Sequence, residues 1–167
     1  MQEKLNKLNV IDFIINVNDE NFSVDKEDKK EDNKISELQI HKILYIVYGN
    51  FYAKFEKELF KDAHFEAWKY GPVEVDFRRY FNPNIKISES LKLKIHGKFD
   101  VELKIEEKDF LFKIIEKTLR FSPWSLVNFT HNTDPWLNNF DKDEMIIPNK
   151  EIQEWFKNVN DSLLKSN

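Results

Sequence analysis

The chain has 167 residues, of which 41% are hydrophobic and 34% charged, with 15 Phe, 4 Trp and a net charge of −4. It is too aromatic to be disordered and long enough for one folded domain, expected to span residues 1–167. Cys is absent and Gly occurs 3 times, which excludes disulfides, thiolate chemistry and glycine-rich phosphate loops. No apolar run reaches the roughly 18 residues of a membrane span. The acidic balance argues against a chain-wide grip on nucleic acid. The opening MQEKLNKLNV has no apolar signal segment, so the expected compartment is the cytoplasm.

Leu5, Leu8, Ile11 and Ile15 have helical spacing and predict a first helix within residues 1–17. Residues 18–34 are polar and mixed in charge, the pattern of a flexible loop. Ser36 and Gln39 form a capping-box pair before a helix whose face is Ile40, Ile43, Leu44, Val47 and Phe51. Tyr45, Tyr48 and Tyr52 fall on a flanking face. Gly49 lies inside that helix, which predicts close packing against another element.

Residues 64–70 (HFEAWKY) predict a strand, and Gly71-Pro72 a corner. Pro72 has the φ of a first helical position, so a helix with the face Val73, Phe77, Tyr80 and Phe81 is expected from there. Alternation between Leu91 and Ile105 predicts a hairpin turning at His96-Gly97-Lys98. Helical spacing returns at Phe110, Leu111, Ile114, Ile115 and Leu119. Ser122-Pro123 and Asp134-Pro135 each read as a cap followed by a first-turn proline. Pro148 opens a last helix with the face Ile152, Trp155, Phe156, Val159 and Leu163. The fold class expected is α+β, mainly helical, with a small antiparallel sheet or hairpin.

Catalytic and metal constellations are weak. His41, His64, His96 and His131 are too far apart to share a helix turn, so no metal site and no cofactor is expected. Ser122, Ser125 and Thr130 lie near His131, yet no nucleophile-elbow pattern surrounds them. The expectation is a protein that is not an enzyme. Arg78-Arg79 is the one hint of a nucleic-acid contact, and a solvent face or an internal ion pair explains it better. Trp68, Tyr70, Trp124 and Trp136 all sit near turns. They either pin short helices into the core or stay exposed as anchors for a protein partner.

Two segments carry more. Residues 37–81 contain ELQIHKILYIVYGN followed by HFEAWKYGPVEVDFRRYF, and residues 122–140 read SPWSLVNFTHNTDPWLNNF. Their order resembles the Panacea domain, the family of SocA-like antitoxins and GepA-like phage-associated proteins. The matching positions are Leu38, Lys42, Leu44 and Tyr45, then Glu66, Trp68, Tyr70, Gly71, Pro72 and Val73, then Thr130, His131, Asp134, Pro135 and Trp136. The resemblance implies an antitoxin that neutralises a cognate toxin by direct protein binding. It departs from the family in the charged 18–34 segment and in the strand-like alternation of 91–105. The site residues that follow are Trp68, Tyr70, Gly71, Pro72, Thr130, His131, Asp134 and Trp136, with Arg78 and Arg79 as rim contacts. The rival readings are an adaptor that hands a bound protein to a cytosolic protease, and an enzyme centred on His131.

Overall fold

A computed structural model describes residues 7–22, 35–80 and 103–165. Helix α1 spans Lys7–Phe22 and α2 spans Glu37–Phe55. The hairpin β1 (Phe65–Trp68) and β2 (Gly71–Glu74) follows, then α3 (Val75–Tyr80), α4 (Ile105–Leu119), α5 (Pro123–His131) and α6 (Asp134–Asn139). Strand β3 (Ile146–Ile147) and helix α7 (Asn149–Lys165) complete the order. The three strands form an antiparallel sheet in the order β2-β1-β3. Mainly helical α+β is therefore the class.

Helix α2 is the centre. Ser36 and Gln39 satisfy each other's free backbone N–H groups, at 3.2 and 3.0 Å. Every residue from Ile40 to Gly49 is buried. A helix apolar on most sides must be covered on most sides, and α1, α4, α5, α7 and β2 do so. Tyr45 and Tyr48 are fully buried, so the tyrosine face is interior. A Cβ on Gly49 would overlap the Phe156 ring of α7, the close approach that its place in the helix predicts. Glu56 ends α2 in the left-handed region (φ 54°), its N–H bonded to Tyr52 O.

The structure corrects four expectations. Residues 18–22 are the last turn of α1, since Val17 and Asn18 are buried and carry the helix onward; residues 23–34 lie outside the described residues. Pro72 and Val73 belong to β2, and the helix starts at Val75. Ile105 opens α4 with its side chain 81% exposed, while 91–102, the rest of the expected hairpin, lie outside the described residues. The N-cap of α6 is Thr133, one residue before Asp134.

Candidate functional site

The β1–β2 hairpin gathers the chemistry-bearing side chains. Ala67 N donates to Met145 O on the β3 side, at 2.7 Å. Strand pairing then turns the main-chain groups of Pro72 and Glu74 away from β1, toward α2. Lys42 Nζ donates to Pro72 O at 2.9 Å, and Glu74 N donates to His41 Nδ1 at 3.1 Å. Two consecutive side chains of α2 thus replace a neighbouring strand. Proline fits at position 72 because the N–H it lacks would point out of the ladder.

Lys42 is completely buried and has no ion-pair partner among the described residues. Burial brings its pKa down to about 7, against a weaker pull from Glu37. His41 accepts at Nδ1, so the proton of its neutral ring sits on Nε2, which faces Glu37 Oε1 at 3.3 Å. Burial lowers its pKa, and the bond to Glu37 opposes this.

Gly71 follows the Lys69-Tyr70 turn with φ +96°, a conformation that suits glycine. A Cβ there would come within 2.6 Å of Thr130 Oγ1 and 2.8 Å of Lys42 Cε. The hairpin is therefore pressed between α2 and α5. Thr130 Oγ1 donates to Val127 O at 2.9 Å and Thr133 Oγ1 to Thr130 O at 2.7 Å. With its proton so directed, Thr133 Oγ1 accepts from Tyr45 OH at 2.9 Å. Trp136 Nε1 donates to Trp68 O at 2.9 Å. Its ring stacks on His131 at 4.1 Å and on Phe140 at 4.5 Å between centroids.

A second polar knot holds the base of the hairpin. Lys7 Nζ reaches Asp62 O at 2.7 Å, Glu74 Oε1 at 2.6 Å and Asp76 Oδ2 at 2.7 Å. Glu74 is fully buried, and its Oε2 caps α3 by accepting from Phe77 N at 2.7 Å. Burial works to lower the Lys7 pKa, but Asp76 and Glu74 together raise it on balance. The same hydrogen bond holds the Asp76 carboxyl below its usual range.

The structure brings Trp68, Gly71, Pro72, Thr130, His131 and Trp136 together around one hairpin. It holds the rest apart. Tyr70 is exposed at the tip, edge-on to exposed Trp124 at 6.0 Å, with Lys69 Nζ 5.4 Å from its ring. Arg78 and Arg79 are exposed on α3, 3.4 Å from Glu37 and 3.8 Å from Asp76. Asp134 lies beside Glu151, Glu154 and Trp155 in a small cleft, and His131 stacks on Trp136 instead of meeting it. His131 Nε2 is buried with no hydrogen-bond partner among the described residues, and burial lowers the pKa of the ring against a hydrogen bond with the Lys69 backbone. Of the four aromatics near turns, Trp136 is a pin, and Tyr70 and Trp124 are exposed.

Ser122 caps α5 by accepting from Ser125 N at 3.2 Å, and the two hydroxyls hydrogen-bond to each other at 2.8 Å. Among the described residues no group of three or more His, Asp or Glu could hold a metal ion. The clamp roles of His41, Glu74, Thr133 and Lys7 escaped the sequence reading. Lys42 carried a signal, as the one ammonium inside IHKILYIVYG.

The match to known families falls on these same elements. Residues 40–137 match the family described as antitoxin SocA-like, Panacea domain. No curated protein and no solved structure matches the chain. The matched stretch runs from the first buried turn of α2 to α6, takes in the hairpin and its clamp, and covers more than half of the sequence, so the chain belongs to the SocA-like Panacea-domain antitoxin family.

Proposed function

We propose that this protein is an antitoxin that neutralises a cognate toxin by direct protein–protein binding in the cytoplasm, without catalysing a reaction. Membership of the antitoxin family carries the reading. Supporting it, no helix among the described residues is long and apolar enough to cross a membrane. The hairpin, stiffened from behind by Lys42, Thr130 and Trp136, presents Trp68, Tyr70 and the facing Trp124 outward. Rigid aromatic anchors of this kind supply much of the energy of protein interfaces. In this reading Gly71, Pro72, Thr130, His131, Asp134 and Trp136 shape the scaffold. Tyr70 and Trp68 are the contact residues, with Arg78 and Arg79 at the rim.

The experiment is reconstitution. The protein encoded by the adjacent gene is expressed alone and with this chain, and the purified pair is assayed for toxin activity. Protection at equal molar amounts without any protease supports the proposal. Neutralisation that occurs in cells but is lost in a protease-deficient host and in the two-protein assay means the chain is a degradation adaptor instead. Neutralisation below equal molar amounts, lost in His131→Ala while the complex still forms, means the chain acts by turnover.

A further inference from the structure

We propose that the outer edge of β3, together with the cleft it borders, takes an extended, basic segment of a partner protein by strand addition. Ile146 is opposite Glu66 in the ladder, between the paired positions Met145 and Ile147. Its N–H and C=O therefore point away from β1. They have no partner among the described residues, and the Ile146 side chain is 45% exposed. An apolar residue with a free donor and acceptor on a sheet edge is the starting point for β-augmentation.

The same residue lines a cleft of about 530 Å³ at the end of the sheet, shared with Asp62, His64, Asp76 and Asn149. Two polar atoms of this lining are buried without a well-formed hydrogen bond among the described residues: Asn149 Oδ1, and His64 Nε2, whose nearest carboxylate oxygen is Glu66 Oε1 at 3.4 Å. An incoming peptide offers both N–H and C=O groups to such atoms.

Charge selects the occupant. Lys7 and Arg79 compensate Asp76, whereas Asp62 has no ion-pair partner among the described residues. The exposed approach to β3 adds Asp141, Asp143 and Glu144 against Lys142. Lysine or arginine side chains on the added strand meet this field favourably, and acidic ones are repelled. The inference stands apart from the toxin reading, because the partner is defined by its chemistry alone.

The test uses the full chain, labelled for NMR, and the peptide acetyl-Lys-Val-Lys-Val-Lys-amide. Saturable shifts are expected at the amides of His64, Ile146 and Asn149. The Glu-Val-Glu-Val-Glu counterpart is expected to bind at least about fivefold more weakly. N-methylation of the central lysine amide should weaken the basic peptide by about the same factor, since it removes a ladder donor. Asp62→Asn, which tolerates the φ of 56° at that position, should lower affinity for the basic peptide at low salt. Shifts centred elsewhere overturn the proposal. So do equal affinity for the two charge types, indifference to N-methylation, and the absence of saturable binding at millimolar peptide.

Discussion

Strands β2 and β3 are the outer strands of one small sheet, and their edges are treated in opposite ways. The edge of β2 is closed by side chains: Lys42 and His41 take its outward carbonyl and N–H, and α2 lies over it. The edge of β3 is open at Ile146 among the described residues. Closing an edge with a buried ammonium is costly in solvation, because one neutral carbonyl replaces a full hydration shell. Leaving an edge open costs nothing in stability but invites pairing. Half of the sheet is thus built to be rigid and half to be accessible.

The largest break in that contrast is expected from Gly71→Val. The side chain would impose a strained φ and collide with Thr130 and Lys42 at once. A loss of about 4 kcal/mol is expected in denaturant unfolding.

Next comes the titration of Lys42. Its folded pKa is about 7, below the ordinary 10.5. Between those values the unfolded chain binds a proton that the folded chain does not, so stability rises with pH. Unfolding free energies from urea titrations at pH 7 and pH 10 should differ by about 3 kcal/mol in favour of the higher pH. Burial raises the pKa of Tyr45 and Tyr48 above their ordinary 10, so their ionisation reverses the trend beyond pH 10. Lys42→Met should flatten the slope. A slope that persists in Lys42→Met assigns it to other groups.

His41→Phe leaves Glu74 N without its acceptor while keeping the ring volume against Phe77. About 1 to 2 kcal/mol should be lost. His41 and His131 have lowered pKa values. They stay neutral in the fold where the unfolded chain takes up protons, so stability falls as the pH drops below 6.5, and His41→Phe should lessen that fall.

At the open edge, Ile146→Lys should change stability by less than about 0.5 kcal/mol. The smallest effect is expected from Arg78→Ala with Arg79→Ala. Circular dichroism should be unchanged, and any loss of toxin affinity should be confined to low salt.

Much of the frame was legible because its signals are local. The Ser36–Gln39 box, close packing at Gly49 and the Ser122 cap were all read from the sequence and appear in the structure, which supplies Phe156 as the neighbour of Gly49. Pro72 misled because Gly-Pro suits a helix start and an outward strand position equally. Lys42 and His41, thirty residues earlier, decide between them. Asp134 misled similarly: Thr133 takes the N-cap position by its backbone, while its hydroxyl is turned to Thr130 O and Tyr45 instead of the helix end. The motif residues were legible as a family pattern, whereas their meeting on one hairpin depends on contacts from α2 and α5–α6. Glu74 drew no reading because its partner Lys7 is 67 residues away and lies outside the matched region.

The Phe156 ring that rests on Gly49 has a consequence for synthesis. Helix α2 leaves the ribosome long before α7, and a chain growing at 5 to 20 residues per second takes roughly 5 to 20 s to bridge the gap. Throughout that interval a helix built to be covered on most sides has its α7 face bare. The nascent chain must survive with that apolar stripe exposed, and a stall before Phe156 leaves a product primed to aggregate.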